Sequence, residues 1–156
     1  MNKRGYTLIE IICTIAIIII SLSVINLDLD LFKKDILDST IETIITDMQE
    51  AKMLAINSRI NEVKVFFTLD EYKHDFNGYE IYIGGQNGKV LKKRKLNNDY
   101  LISRVKSTIP ENGIVIFKPD GNISPHACTI SVYDKNTNKY RNITLTIGYT
   151  RIMEVK

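Results

Sequence analysis

The stretch that decides the fold runs from Lys3 to Ile20 and reads KRGYTLIEIICTIAIIII. Two basic residues precede a long apolar run, and one carboxylate, Glu10, lies near its start. From Tyr6 to Leu27 there are about 22 residues, which at ~1.5 Å per residue make roughly 33 Å of helix, enough to cross a hydrocarbon core of ~30 Å. A carboxylate inside a membrane costs about 2.5–3.5 kcal/mol at mid-depth, so Glu10 is a candidate functional residue.

The residues around the start of this run form a pattern of their own. Lys3 and Arg4 are followed by Gly5, an aromatic residue at Tyr6, then Thr-Leu-Ile and the acid. This order resembles the processing site of type IV prepilins and pseudopilins. The resemblance implies that Lys3 and Arg4 belong to a leader peptide that a prepilin peptidase cuts after Gly5. It also implies that Tyr6, which stands where the family usually has Phe, becomes an N-methylated N-terminus.

Glu10 has a further role by the same resemblance. In the family, a glutamate at this position pairs with a positively charged N-terminus when subunits assemble into a filament. Compensation of this kind makes a buried carboxylate tolerable and sets the axial register of the subunits. The implied partners are other major and minor pilins or pseudopilins, the peptidase, an assembly ATPase and a platform protein in the membrane.

Two other interpretations of the N-terminal stretch stay open. An ordinary secretory signal peptide would have its apolar region at Ile11–Ile20 and its cleavage site at Ser21–Ser23. Glu10 speaks against this interpretation, because an acid contributes nothing to such an apolar region. The second alternative is a signal anchor that is never cut. In either membrane interpretation, Lys3 and Arg4 place the N-terminus in the cytoplasm and the rest of the chain outside.

The length of the chain allows one domain after the anchor, and its net charge gives no strong indication of a binding partner. Without the anchor about 130 residues remain, which is one domain of ordinary size. The formal net charge of +3 falls to +1 when the two charges of the leader are removed. Net charge therefore gives little support for non-specific nucleic-acid binding. Cys13 would lie in the bilayer and Cys128 in the outer domain, so we predict no disulfide between them.

A second helical pattern follows the anchor. The polar run Asn26–Asp30 predicts a kink or a short loop at the outer membrane surface. Beyond it, apolar residues recur at alternating spacings of four and three and predict one face of a helix that packs on a sheet and ends near residues 57–59. These residues are Leu37, Ile41, Ile44, Met48, Ala51 and Ala55. Charged residues, including Asp47 and Lys52, are assigned to the other faces.

From Glu62 onward the chain reads as short strands separated by turns, which predicts an α+β fold with the long helix on an antiparallel sheet. The predicted strands are 63–68, 78–83, 89–96, 100–105, 114–117, 128–133, 140–147 and 151–155. The predicted organisation is a leader at 1–5, a transmembrane and assembly helix at 6–27, an amphipathic helix at 28–58 and a β-rich region at 59–156.

The second half carries a looser resemblance. The segment Ile116–Ile123, with its Phe117 before an Asp-Gly turn, followed by Gly148 and Arg151, is similar to the C-terminal pattern of H-type minor pseudopilins and FimT-like proteins. It implies a minor subunit of a type IV pilus, a type II secretion system or a competence pseudopilus. The resemblance implies a structural subunit without enzymatic activity.

One basic cluster offers an alternative function. Its members lie on one predicted hairpin and are Lys89, Lys92, Lys93, Arg94 and Lys95. Such a cluster can contact phosphates, with Tyr79, Tyr82 and Tyr100 as candidate stacking partners, so a membrane-tethered module that binds DNA or an acidic polymer stays open. The other interpretation is a solvated hairpin whose lysines prevent edge-to-edge pairing. We predict no metal site, cofactor or catalytic group.

Overall fold

The computed structural model describes residues 7–58, 62–72, 74–84, 88–146 and 152–155, with side chains throughout except at 22–35, 153 and 155. In these residues the elements are α1 (Leu8–Ser58), β1 (Val63–Leu69), β2 (Phe76–Ile83), β3 (Lys89–Lys95), β4 (Tyr100–Ile102), β5 (Ile114–Phe117), β6 (Ile123–Ser124), β7 (Cys128–Asp134), β8 (Lys139–Leu145) and β9 (Met153–Val155). All the strand pairings are antiparallel. The predicted α+β fold is confirmed. The chain divides into two compact units, residues 1–38 and 39–156.

The apolar stripe that the sequence predicted on the second half of α1 is confirmed. All six of its members are buried, namely Leu37, Ile41, Ile44, Met48, Ala51 and Ala55. Inside the unit 39–156, the small side chains of Ala51 and Ala55 are fully buried, and so are bulky residues of the sheet such as Phe117 and Ile143. The predicted helix end is also confirmed, because α1 ends at Ser58.

The short loop predicted from the polar run Asn26–Asp30 is wrong. Helix α1 continues through this run without interruption. The reason lies in the residue types: the run contains no Pro or Gly, and its leucines are good helix formers. Polar residues on a helix need only water or a partner for their side chains, so polarity alone does not end the helix.

The sheet branches at β2. Its strand order is β6-β5-β1-β2-β4-β7-β8-β9, and β3 pairs with β2 off this path. One edge of β2 pairs with β1, while the other edge pairs with β3 over residues 78–83 and meets β4 at Phe76. Gly78 allows β3 to come close, since a Cβ at this position would lie 2.2 Å from the backbone oxygen of Arg94. A side chain at position 78 would therefore separate the two strands.

Two hydrogen bonds tie α1 to the end of the domain. Lys52 Nζ donates to the carbonyl of Thr146 over 3.1 Å, and Gln49 Nε2 donates to the carbonyl of Ile152 over 3.1 Å. Lys52 is buried, and this burial lowers the pKa of its ammonium group. Arg141 on β8 forms an ion pair with Glu154 on β9, which adds a second attachment for the last described strand.

The predicted strands agree with the structure to within a few residues in most cases. β5 coincides with its prediction, and β1, β2, β3, β7 and β8 differ by one or two residues at one or both ends. The predicted strand 100–105 is shorter, because Arg104 and its neighbours form a turn after Ile102. The two-residue strand β6 was not predicted. Gly148 and Arg151, which carried part of the C-terminal resemblance, lie outside the described residues.

Candidate functional site

The N-terminus of α1 is closed by its own side chains. The backbone N–H of Thr7 donates to Glu10 Oε2 over 2.9 Å, and the Thr7 hydroxyl donates to the same oxygen over 3.1 Å. In return, the backbone N–H of Glu10 donates to Thr7 Oγ1 over 3.4 Å. This reciprocal arrangement is a capping box, in which a Thr at the N-cap and a Glu three residues later satisfy each other's free donors. The Glu10 carboxylate is therefore hydrogen-bonded within its own chain.

The sequence contained the signal for this cap. A Thr followed three residues later by Glu, directly before an apolar run, is the usual pattern of a helix N-terminus. Our sequence reasoning assigned Glu10 to assembly and gave Thr7 no role. The residues predicted to form the leader and the cleavage site, Lys3, Arg4, Gly5 and Tyr6, lie outside the described residues.

The first turns of α1 are apolar, and their side chains are solvent-exposed all around the helix. All side chains from Thr7 to Ser21 are exposed, and its large apolar residues keep between 48% and 77% of their surface accessible. These are Leu8, Ile9, Ile11, Ile12, Ile15, Ile17, Ile18, Ile19 and Ile20. At about 25 cal/mol per Å², a surface of this kind is costly to leave in water. In the part of the chain that the structure describes, no helix has the combined length and hydropathy of a membrane span.

Strand β3 carries the basic cluster, and three of its five members are paired with carboxylates. Lys92 Nζ contacts Asp47 Oδ1 at 2.7 Å and also pairs with Glu50, while Arg94 Nε contacts Asp47 Oδ2 at 2.9 Å. On the other face of the sheet, Lys93 pairs with Glu80. The basic side chains of β3 therefore attach this strand to α1 and β2.

Asp47 is the centre of this arrangement. Its side chain is only 2% exposed, and it accepts a third hydrogen bond from the Tyr79 hydroxyl at 2.8 Å. Burial raises the pKa of the Asp47 carboxyl, but the hydrogen bonds from Arg94, Lys92 and Tyr79 outweigh that effect and hold it below the ordinary value of 3.8. A buried carboxylate with three donors around it stays ionised at neutral pH.

The aromatic residues considered as stacking partners for nucleic acid are placed differently from that expectation. Tyr79 and Tyr100 are buried in the core at 1% and 2% exposure, so their rings are closed to bases. Tyr82 packs edge-to-face on Phe66, with the ring centroids 5.0 Å apart. The stacking prediction for Tyr79 and Tyr100 is wrong, because both rings are buried inside the domain and the Tyr79 hydroxyl is bonded to Asp47 of α1.

Asp47 was missed as a site residue. The sequence placed it on a face of α1 away from the core, yet it lies between the buried residues Ile44 and Met48. Its partners are 32 to 47 residues away in the chain, so no local sequence pattern predicts these contacts. The one available signal was an acid that directly precedes a member of the apolar stripe. Among the described residues, no three His, Cys, Asp or Glu side chains are grouped so that they could hold a metal ion.

Two comparisons with known proteins bear on the chain. Residues 1–26 match the family model described as the prokaryotic N-terminal methylation motif. The fold is similar to the crystal structure of the type IV minor pilin FimU of Pseudomonas aeruginosa strain PAO1, with a TM-score of 0.59 and 17% sequence identity. This similarity covers 80% of the present chain and 91% of the FimU chain. No curated protein sequence matches the chain.

The two findings are compatible. The motif covers the N-terminal stretch, while the fold similarity covers 80% of the chain. The first twenty residues predicted the methylation motif, and the pattern of residues 37–155 predicted a sheet packed on the second half of the helix. Residues 1–26 thus carry the prokaryotic N-terminal methylation motif, and the chain has a fold similar to that of a type IV minor pilin.

Proposed function

We propose that this chain is a minor pilin of a type IV pilus, made as a precursor and cut between Gly5 and Tyr6. The observation that carries the proposal is the N-terminal methylation motif at residues 1–26, on a helix whose apolar side chains from Leu8 to Ile20 are uncovered. The likeness of the fold to FimU, described as a type IV minor pilin, supports the same function. The pattern at Phe117–Ile123 favours the H-type, FimT-like branch.

The apolar surface of α1 serves two environments in turn under this proposal. Before assembly, residues 6–27 anchor the subunit in the cytoplasmic membrane, with Lys3 and Arg4 on the cytoplasmic side and the sheet outside. After cleavage of the leader, the same surface packs against the helices of neighbouring subunits in the filament core. One apolar surface suits both, because lipid and a helix bundle both exclude water from it.

Glu10 acts as the assembly contact. In the isolated subunit its carboxylate accepts hydrogen bonds from Thr7, which lowers the cost of placing an acid at the start of an apolar helix. During assembly the carboxylate exchanges these for the methylated N-terminal amine of Tyr6, its own or that of a neighbouring subunit. A charged partner binds a carboxylate more strongly than a neutral donor does, so the exchange favours the filament. Prepilin peptidase, the assembly ATPase and the platform protein are the implied partners.

The alternative function on β3 receives less support. Lys92, Lys93 and Arg94 are engaged with carboxylates of the same domain, so their charge is largely neutralised locally. Lys89 and Lys95 are the two members without such a partner in the described residues. Two lysines give a shallow salt dependence and weak phosphate binding. We accordingly propose a structural subunit with no catalytic role and no function in nucleic-acid binding.

The N-terminus of the mature protein tests the proposal. The full chain is expressed with and without a prepilin peptidase, extracted from membranes, and examined by intact mass and N-terminal sequencing. We expect a chain that begins at N-methylated Tyr6 when the peptidase is present and at Met1 when it is absent. A chain that begins near Val24 in both strains would instead indicate a secretory signal peptide. A chain that keeps Met1 in both strains would indicate an uncut anchor.

A further inference from the structure

An open cavity of about 410 Å³ lies on the surface of the unit 39–156, and no residue of α1 lines it. Its wall is built from the turn after β1, the end of β3 and the turn between β7 and β8, which the branching of the sheet at β2 brings together. The volume is within the range of about 300–1,000 Å³ that small-ligand sites have. None of the ion pairs around Asp47 reaches this part of the domain.

The wall of this cavity holds polar groups whose hydrogen-bonding capacity is unused. The side chains of Asn97 and Asn98 make no hydrogen bond with another described residue, and the same is true of Glu71 and Lys95. An amide both donates and accepts, a carboxylate accepts, and an ammonium group donates. The cavity therefore presents donors and acceptors side by side, as a ligand rich in hydroxyl groups requires.

The charges in the wall cancel. Asp70 and Glu71 contribute two negative charges, and Lys95 and Lys135 contribute two positive charges. Lys135 is held in place, because its Nζ donates to the carbonyl of Asn98 over 2.6 Å. A wall without net charge attracts neither a polyanion nor a polycation over distance. A neutral polar ligand is favoured over DNA or an acidic peptide.

One aromatic ring stands at the rim of the cavity. The side chain of Tyr72 is 78% exposed, and no aromatic or charged partner in the described chain covers it. An exposed tyrosine offers a flat apolar face together with a hydroxyl, which suits ligands that have one apolar and one polar aspect. The ring face of a pyranose carries C–H groups, while its rim carries hydroxyl groups.

We propose that this cavity binds a neutral saccharide, with a sugar ring stacked on Tyr72 and its hydroxyl groups bound by Asn97, Asn98 and Glu71. The site lies outside the segments that anchor and assemble the subunit. It adds a binding activity to the outer domain and does not depend on cleavage at Gly5. Because the cavity is open, an internal unit of a longer glycan fits as well as a chain end.

The test uses the full chain in a detergent without a sugar headgroup. Amide chemical shifts are followed by NMR during titration with glucose and N-acetylglucosamine tetrasaccharides, with a galacturonate tetrasaccharide and a hexaglutamate peptide as anionic probes. We expect saturable shifts at Asn97 and Asn98 with a neutral tetrasaccharide, at a dissociation constant of about 1 mM. Tyr72→Ala weakens this binding by about tenfold, whereas Tyr72→Phe retains most of it.

Tyr140→Ala is the matched control, because Tyr140 is an exposed tyrosine on β8 that does not line the cavity. It leaves saccharide binding unchanged. The proposal is overturned if neither neutral tetrasaccharide causes saturable shifts, or if Tyr72→Ala binds as tightly as the wild type. It is also overturned if hexaglutamate or galacturonate binds while both neutral probes do not. These outcomes leave the proposed pilin function untouched, since that function is judged by the N-terminus of the mature chain.

Discussion

The Tyr79 hydroxyl donates a hydrogen bond to the Asp47 carboxylate over 2.8 Å, and so joins β2 to α1 where both side chains are almost fully buried. The two charged partners of Asp47 approach from the side and are more accessible, at 28% exposure for Lys92 and 46% for Arg94. Tyr79 is thus the fully desolvated partner of the carboxylate. A buried hydrogen bond to a charged group contributes about 1.5–3 kcal/mol.

We predict that Asp47→Asn destabilises the domain by about 2–4 kcal/mol, because it removes the negative charge that Lys92 and Arg94 share and replaces one of the two acceptor oxygens by an NH2 donor. Thermal unfolding of the full chain in detergent, followed by near-ultraviolet circular dichroism, measures the effect. Tyr79→Phe alone costs about 1–2 kcal/mol, and the double variant costs less than the sum of the two.

Tyr82→Phe is the control for this pair, because the Tyr82 hydroxyl donates to the more accessible Glu80. It changes the free energy of unfolding by less than about 0.5 kcal/mol. Additive effects of Asp47→Asn and Tyr79→Phe would contradict a direct contact between the two side chains.

We predict that the contribution of Asp47 to the stability of the folded domain is constant near neutral pH and decreases only at acidic pH. The pKa of Asp47 is lowered in the folded protein, so its contribution is fully present above the ordinary value of 3.8 and is lost as pH falls through the folded value. The difference in unfolding temperature between wild type and Asp47→Asn therefore stays constant from pH 5 to 8 and shrinks below about pH 4. A difference that shrinks between pH 8 and 6 would show that another group is responsible.

We predict that Cys128 is unreactive in the folded domain. Burial raises the pKa of its thiol to about 12, so only a minute fraction is thiolate at pH 8, and the thiolate is the reactive form. In a Cys13→Ser background, a maleimide or disulfide reagent modifies Cys128 only after the domain is unfolded. Rapid, complete labelling of Cys128 in the native protein would refute this placement.

We predict that Glu10→Gln separates processing from assembly. Glutamine still accepts the hydrogen bond from Thr7 but has no charge to pair with an N-terminal amine, so the variant is cut and inserted while its incorporation into filaments falls by about tenfold. Immunoblots of sheared filaments and of membrane fractions measure the two steps. Glu42→Gln, an exposed acid on the outer half of α1, is the control and assembles normally. Normal assembly of Glu10→Gln would remove the assigned role of Glu10.

The sequence predicted the helix face that packs on the sheet and most of the strands. Both are visible in local patterns: the spacing of Ile41, Ile44 and Met48 follows the helical period, and β5 is a compact apolar run between turns. The sheet branching at β2 was not predictable in this way. It depends on which strands share β2, and Gly78 marks that contact only once the backbone of Arg94 is known to lie against it.

The candidate sites differ in the same way: local sequence was enough to find one of them and not the other. Glu10 was singled out because one acid in an apolar run is anomalous on its own, and its cap by Thr7 lies within a single turn. Asp47 was assigned to a solvated face, although its three partners come from β2 and β3. Local sequence predicts that Asp47 lies on a helix. The pairing that buries its carboxylate depends on residues that are 32 or more positions away in the chain.

Helix α1 cannot complete its contacts until the end of the chain has been synthesised. Gln49 and Lys52 on this helix bond to the carbonyls of Ile152 and Thr146, respectively. Gln49 and Ile152 are 103 positions apart, so at a ribosomal rate of about 5–20 residues per second roughly 5–20 s pass between their syntheses. Until the end of that interval the core face of α1 lacks part of the sheet that covers it in the folded domain. The newborn chain thus exposes two adjacent apolar surfaces, one that stays open in the finished subunit and one that closes only when the last strand arrives. A chaperone that holds the nascent chain has its longest opportunity on this helix.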